Sequence, residues 1–186
     1  KALTRAQQQN DLCTFDCLGE AAVGEDDAKS YFDNYHNLIH QLSQDNSKQQ
    51  HSVSIKLSAL HGRFAAKQYA RIKPILVERV FTLALAAKQA NIALTIDAEE
   101  ADKLMITLDV FACVRANSKL ENWHKLGLAV QAYSKRALIT LLWLNALGRE
   151  HKSYIPVRLV KGAYWDSEIK HAQQLGLTDY PVFQQK

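Results

Sequence analysis

The segment Val53–Ala59 reads VSIKLSA, and its pattern decides the expected fold. Its apolar residues Val53, Ile55 and Leu57 alternate with polar ones, so in an extended strand they lie on one face and Lys56 lies on the other. A parallel strand in a sheet covered by helices on both faces would instead read as an unbroken apolar run. The segment therefore predicts a strand with one apolar face and one polar face.

Similar segments recur on both sides of this strand and are separated by longer amphipathic stretches. We predict five strands, which are Leu12–Asp16, Val53–Ala59, Ile92–Asp97, Leu128–Ala132 and Val157–Val160. The helices predicted between and after them are Asp26–Gln44, Ala65–Ala90, Asp102–Ala116, Ser134–Leu147 and Asp166–Leu175. Repeated strand–helix units predict a parallel sheet, because each parallel connection needs a crossover helix.

The polar face of these strands decides between two parallel architectures. Like Lys56, the residues Asp97, Gln131 and Arg158 belong to the polar face of their strands, mostly near the carboxyl ends. A doubly wound sheet gives no reason for this pattern. In a (β/α)8 barrel, the apolar face packs under the helices and the polar face points into the mouth, where active sites lie. We therefore predict an α/β fold of the (β/α)8 TIM-type barrel class.

This barrel is expected to be incomplete in the chain. A (β/α)8 barrel needs eight strands and roughly 250 residues, whereas these 186 residues supply about five strand–helix units. No low-complexity linker divides the sequence, so residues 1–186 are expected to form a single domain, the N-terminal part of such a barrel. The chain begins at Lys1 rather than Met, which also suggests a fragment. The first and fifth strands should then have unpaired edges.

Composition excludes several other classes of protein. The chain is 47% hydrophobic and 23% charged, as in ordinary globular domains, and its net charge is only +4. The basic residues are scattered, so DNA binding by this segment is not expected. The longest apolar stretch, Ala137–Leu147, is too short to cross a bilayer. Three cysteines without a CxxC pair predict free thiols, a cytoplasmic location and no metal centre.

The predicted barrel mouth contains charged residues that could carry chemistry. Lys56 and Asp97 belong to the polar faces of adjacent strands, so we predict an ion pair between them, which is either structural or functional. Gln131 adds a neutral hydrogen-bonding group. Arg158 adds a permanent cation that suits a phosphate, a carboxylate or a reduced flavin ring, or that serves as a structural partner of Asp97 or Asp16.

The segment Val160–Asp166 reads VKGAYWD and directly follows the fifth predicted strand. Gly162 and Ala163 are small enough to let a planar ligand approach the backbone. Tyr164 and Trp165 offer flat apolar surfaces beside it. An aromatic pair at a strand–helix junction is more often packing than a cofactor contact, and the polar neighbours are what favour a cofactor here.

Taken in order, these segments resemble a known family. They are Asp16–Ala22, Ser54–His61, Asp97–Asp102, Gln131–Tyr133 and Arg158–Lys170, and together they run over essentially the whole chain. They are similar to the proline dehydrogenase domain of the bifunctional proline utilization A flavoenzymes, which are bacterial multifunctional enzymes of proline catabolism. The resemblance implies FAD-dependent oxidation of L-proline to 1-pyrroline-5-carboxylate, by hydride transfer to flavin N5, as the first step towards glutamate.

The resemblance also implies roles for individual residues. Lys56, Asp97 and Arg158 would be catalytic, and Lys56, Asp97 and Tyr164 would line the proline pocket, with Glu20 as a gate. The expected flavin contacts are Asp97, Ala129, Gln131, Arg158, Val160, Lys161, Gly162, Ala163, Tyr164, Trp165 and Lys186. Gly62 and Gln184 depart from the residues that the family favours at these positions.

Expected partners follow from the same resemblance. They are a membrane quinone that accepts the electrons, with peripheral membrane contact of the parent enzyme, and an aldehyde dehydrogenase domain on the same parent chain. A homo-oligomer is a further expectation. Because the later strands and last helix are missing from the sequence, the isolated 186 residues are expected to be inactive.

Two other functions remain open at the level of sequence. In the first, Lys56 is the Schiff-base amine of an aldolase-like barrel enzyme, a role that desolvated lysines can take. In the second, the chain is a non-catalytic binding module. That second interpretation leaves the polar face of successive strands unexplained.

Overall fold

The structure, a computed structural model, describes residues 5, 8–9, 11–17, 21–44 and 51–185. Its strands are β1 (Thr14–Asp16), β2 (Ser52–Ile55), β3 (Ala93–Ile96), β4 (Leu126–Gln131) and β5 (Val157–Val160). Its helices are α1 (Glu25–Ser43), α2 (Tyr69–Gln89), α3 (Leu104–Arg115), α4 (Ala137–Glu150) and α5 (Trp165–Gln174). Short 3-10 turns lie at Leu57–Ala59, Ala66–Gln68, Ala101–Lys103 and Ser118–Leu120.

The strands of the described part of the chain form one parallel sheet in the order β1-β2-β3-β4-β5. Each strand is therefore the neighbour of the next along the chain. A doubly wound sheet would reverse this order at a switch point, whereas a (β/α)8 barrel keeps it. The predicted parallel sheet is confirmed, and β1 and β5 lie at its two ends as expected.

The core lies between the helices and the apolar face of the sheet. Val53 and Ile55 of β2 and Leu94 and Ile96 of β3 are all fully buried in it. The helix α2 faces them with residues spaced three or four apart, which fall on one side of a 3.6-residue turn. These buried residues are Ile72, Leu76, Val80, Leu83, Ala84 and Ala87. Burial of each leucine contributes about 1.5–3 kcal/mol.

The second strand is shorter than the alternation predicts. It ends at Ile55 instead of Ala59, and Leu57–Ala59 form a 3-10 turn. The backbone N–H of Lys56 donates to the hydroxyl of Tyr35 at 3.2 Å, so a buried side chain of α1 takes the hydrogen bond in place of a neighbouring strand. All three residues of this 3-10 turn are buried. The alternating pattern of Leu57–Ala59 therefore did not mark which of them belong to a strand.

The start of β4 was also predicted too late. The strand begins at Leu126, where it pairs with Leu94 of β3, and the predicted start was Leu128. Gly127 allows this, because a Cβ at this position would lie 2.6 Å from the carbonyl oxygen of Pro156. A glycine inside the strand therefore marks a close approach of two backbones rather than a strand boundary.

The outer face of β5 differs from that of the other strands. Val157 is 39% exposed and Leu159 is 59% exposed. Leu138 and Leu142 of α4 are also exposed. Within the described residues, no helix is both long enough and apolar enough to cross a membrane.

Candidate active site

The strand register brings the polar residues of the sheet to one level. Ile55 pairs with Ile96, so the next residues, Lys56 and Asp97, lie side by side at the carboxyl ends of β2 and β3. Ala129 of β4 pairs with Arg158 of β5. These side chains belong to the face of the sheet that is turned away from the helices, which is the mouth of a barrel.

Lys56 lies between two carboxylates. Its Nζ is 2.7 Å from Oδ2 of Asp16 and 3.6 Å from Oδ2 of Asp97, and only 12% of its side chain is exposed. The predicted pair between Lys56 and Asp97 is confirmed. Asp16, at the end of β1, is the nearer partner, although the sequence suggested it only as a structural partner of Arg158. Its position at the polar end of the first strand is the signal that could have identified it.

Arg158 reaches across the sheet from the last described strand. Its guanidinium pairs through Nη2 with Asp97 and donates through Nη1 to the hydroxyl of Ser54 at 3.0 Å. Even so, 41% of the side chain is exposed towards the mouth. The arginine is therefore fixed by residues of two other strands while part of its cation stays accessible.

The resulting cluster contains two carboxylates and two cations, namely Asp16, Asp97, Lys56 and Arg158. Burial raises the pKa of the Asp97 carboxyl above its ordinary value, and the cations of Arg158 and Lys56 oppose that rise. The two ion pairs offset part of the cost of burying this carboxylate. The cluster is thus a balanced row of charges at the carboxyl ends of the strands.

Gln131 is held by hydrogen bonds at both ends of its amide. Its Nε2 donates to the carbonyl of Glu99 at 2.8 Å, and its Oε1 accepts from the hydroxyl of Tyr133 at 2.6 Å. Only 9% of the residue is exposed. The same tyrosine hydroxyl accepts the backbone N–H of Tyr164 at 3.0 Å. Gln131 is therefore connected to the loops that follow β3 and β5.

The loop after β5 packs against Tyr133. Gly162 has φ +112°, and a Cβ there would lie 1.9 Å from Cε1 of the Tyr133 ring. The sequence suggested that this glycine admits a planar ligand, but the aromatic ring next to it is that of Tyr133. Trp165 is anchored by a 2.7 Å hydrogen bond from Nε1 to the carbonyl of Phe183. Lys161 and Ala163 of the same loop are exposed.

The sequence profile of the proline dehydrogenase family matches residues 1–186. The chain belongs to the proline dehydrogenase family. Its sequence is 42% identical over 177 residues to the bifunctional protein PutA of Salmonella typhimurium, a match that covers 93% of this chain and 13% of that relative. It is 27% identical over 172 residues to proline dehydrogenase 1 of Bacillus subtilis, covering 90% of this chain and 49% of the relative.

Solved structures of proline utilization A agree with this assignment. A crystal structure of a mutant of proline utilization A from Bradyrhizobium japonicum superimposes with a TM-score of 0.90 at 46% identity, covering 93% of this chain and 18% of that protein. One from Bdellovibrio bacteriovorus, inactivated by N-propargylglycine, gives a TM-score of 0.90 at 26% identity. The superposition confirms the predicted TIM-type barrel class, to which the described residues of this chain contribute five parallel strands.

Most of the predicted site residues of this family member converge at one end of the sheet. Lys56, Asp97 and Arg158 meet directly, and Gln131 lies on the neighbouring strand. Glu20 and Lys186 lie outside the described residues. In the part of the chain that the structure describes, no group of three or more His, Cys, Asp or Glu side chains is placed to hold a metal ion.

Sequence reasoning missed the buried carboxylate of Glu99 near this site. Glu99 is 7% exposed and accepts the backbone N–H of Ser58 at 3.0 Å, and burial raises its pKa. Ser58 in turn accepts the backbone N–H of Ala22 through its carbonyl at 3.0 Å. Glu99 therefore connects the loops after β1, β2 and β3. An acidic residue three positions past a strand end gives little signal in the sequence.

Proposed function

We propose that this chain forms the N-terminal part of the barrel of a FAD-dependent proline dehydrogenase. The enzyme would oxidise L-proline to 1-pyrroline-5-carboxylate and pass the electrons to a membrane quinone. The observation that carries the proposal is the partly accessible cation of Arg158, fixed by Asp97 and Ser54 beside Lys56 at the carboxyl ends of the strands. This end of the sheet is where barrel enzymes carry out chemistry.

The donor set of the site fits a flavin. A reduced isoalloxazine ring is electron-rich, and a fixed guanidinium and an amide N–H are groups that stabilise developing negative charge. Arg158 supplies the first and Gln131 supplies the second, because only one of its amide hydrogens is used by Glu99. The further residues that would hold the cofactor are Asp97, Ala129, Val160, Lys161, Gly162, Ala163, Tyr164, Trp165 and Lys186.

The cofactor, when bound, accepts a hydride, and this supplies the oxidising chemistry. Proline, bound with a neutral amine, would give up the hydride from C5 while its nitrogen lone pair forms the C=N bond, and the N–H proton of the resulting iminium would pass to solvent water to give the neutral imine. Asp97 orients the guanidinium of Arg158, which would stabilise the negative charge that develops on the cofactor. Lys56 holds Asp97 and Asp16 by its ammonium group, and with Tyr164 it would line the proline pocket.

The aldolase alternative fits the geometry of Lys56 less well. A Schiff base requires a neutral amine, which is usually produced by desolvation or a neighbouring cation. The Nζ of Lys56 instead has carboxylate oxygens at 2.7 Å and 3.6 Å, which stabilise the ammonium form. Lys56 is therefore a poor nucleophile in this setting.

The remaining elements of the proposal concern the whole protein. The bifunctional PutA relatives support an aldehyde dehydrogenase domain on the same polypeptide. Glu20 would act as a gate over the proline pocket. We place the enzyme in the cytoplasm, peripherally bound to the membrane that contains its quinone, and with the capacity to form a homo-oligomer.

The full-length protein that contains this chain tests the proposal. We expect flavin absorbance bands in the purified enzyme and proline-dependent reduction of a dye. Lys56→Arg keeps the positive charge but cannot form a Schiff base, so it should retain measurable proline oxidation. A wild-type protein purified without flavin would contradict the proposal. Trapping of a carbonyl substrate on Lys56 by borohydride would favour the aldolase alternative.

A further inference from the structure

A chain of hydrogen bonds with fixed direction runs through Gln131. The chain begins at the backbone N–H of Tyr164, which can only donate, and ends at the carbonyl of Glu99, which can only accept. The end of the Gln131 amide next to Glu99 must therefore be the nitrogen. Its other end must be the oxygen, which accepts the hydroxyl hydrogen of Tyr133.

The orientation of the Gln131 amide is therefore determined by its neighbours. Nε2 carries two hydrogens, and one of them is used by the carbonyl of Glu99 at 2.8 Å. The hydroxyl of Tyr133 accepts the N–H of Tyr164 at 3.0 Å, which leaves its own hydrogen for Oε1 of Gln131 at 2.6 Å. Among the described residues, the second hydrogen of Nε2 has no partner, so Gln131 can donate it to an acceptor group of a ligand.

We propose that Tyr133 is a positioning residue that fixes Gln131 as a hydrogen-bond donor to the flavin. This inference rests on the proposed function, since it concerns the same cofactor site. Tyr133 acts through Gln131 and through the loop after β5, where its ring fills the space next to Gly162. It needs no contact with the cofactor itself.

The geometry separates the two tasks of this tyrosine. The ring packs against Gly162, and the hydroxyl joins Gln131 to Tyr164. Tyr133→Phe keeps the ring and removes the hydroxyl, so the packing of the loop is preserved. Oε1 of Gln131 then loses its hydrogen-bond partner, and within the described part of the chain the amide is held only through the bond from Nε2 to the carbonyl of Glu99. The loss of one well-formed hydrogen bond corresponds to a roughly five- to tenfold change in an equilibrium constant.

The experiment is a double-mutant cycle in the full-length enzyme. Flavin affinity is measured by titrating the apoprotein with FAD, and the flavin reduction potential is measured spectroscopically. Tyr133→Phe should weaken FAD binding roughly five- to tenfold and lower the potential, because the reduced ring loses a fixed donor. In a Gln131→Ala background the same change should have little further effect, since Tyr133 acts through Gln131.

Two controls make the result decisive. Tyr154→Phe removes a hydroxyl from a tyrosine that is 82% exposed and should change neither FAD affinity nor potential. The urea midpoint of Tyr133→Phe, compared with wild type, shows whether the fold is retained. If the effects of Tyr133→Phe and Gln131→Ala simply add, the positioning role is wrong even though the enzyme binds flavin. A wild-type protein without flavin would contradict the proposed function itself.

Discussion

Strands β3 and β5 carry the same alternation of side chains but differ in what covers their outer faces. Leu94 and Ile96 of β3 are fully buried, whereas Val157 and Leu159 of β5 are 39% and 59% exposed. The outer face of β3 packs against helices that belong to the hydrophobic core. Alternation in the sequence therefore indicates which face of a strand is apolar, while its burial depends on a helix that the strand itself does not specify.

The helix that follows β5 is held at the mouth of the sheet. Glu168 of α5 accepts the backbone N–H of Ala101 at 2.7 Å, and Ala101 belongs to the loop after β3. Glu168 and Ala172 of this helix are buried there. In the described part of the chain, α5 thus packs at the carboxyl end of the sheet and leaves the outer face of β5 exposed.

Truncation of one leucine on each strand tests this difference with the largest expected effect. Leu94→Ala should lower the free energy of unfolding by about 2–5 kcal/mol, because it leaves a cavity in the core. Leu159→Ala in the same chain should cost less than about 0.5 kcal/mol. Urea unfolding of both variants measures the difference. Equal losses would mean that the outer face of β5 is covered in solution.

A glycine pair sharpens the comparison for the loop after β5. Gly162→Ala should destabilise the chain by about 2–4 kcal/mol, since it adds backbone strain and a clash with the Tyr133 ring. Gly176 also has a positive φ, of +66°, but no atom lies within 4 Å of its Cβ position. Gly176→Ala should therefore cost only about 1 kcal/mol. Similar losses for the two variants in urea would show that the Tyr133 contact is unimportant.

A substitution of Arg158 tests the function of the inner face of β5. Arg158→Met in the full-length enzyme should lower the rate of proline oxidation about 100-fold and lower the flavin reduction potential, because the reduced ring loses its cation. Steady-state kinetics and a redox titration measure both changes. Arg136→Met, at an exposed arginine, is the matched control. An unchanged potential would remove the role proposed for Arg158.

The smallest expected effect concerns Glu99, in the loop after β3. Burial raises the pKa of Glu99 above its value in the unfolded chain, so the folded state binds a proton more tightly. The contribution of Glu99 to stability is therefore greatest at low pH and falls as the pH rises from about 4.5 through the raised pKa. Glu99→Gln removes this dependence, so its stability relative to wild type should increase between pH 4 and pH 7. Urea midpoints of both proteins across this range measure the difference. A variant that loses stability relative to wild type as the pH rises would contradict this prediction.

The sequence predicts the faces of the strands better than their contacts. The position of Lys56 and Asp97 on the polar faces of adjacent strands was sufficient to predict their pairing, because neighbouring parallel strands align equivalent positions. The end of β2 was not predictable, since it depends on a tertiary contact with the hydroxyl of Tyr35 in α1. The contact between Tyr133 and Gly162 was missed for a similar reason. Small residues in a loop show that something approaches closely, but not whether it is a ligand or the chain itself.

The hydrogen bond between Arg158 and Ser54 joins residues that are 104 positions apart. This contact closes a long loop. The entropy lost on closing the loop opposes its formation, and other contacts must offset that loss first. Local strand–helix units can form earlier because their contacts are close in sequence. We therefore expect the charged row at the mouth to assemble late during folding. Substitutions in this row are then expected to accelerate unfolding more than they slow folding, so the proposed active site would also affect the lifetime of the native state.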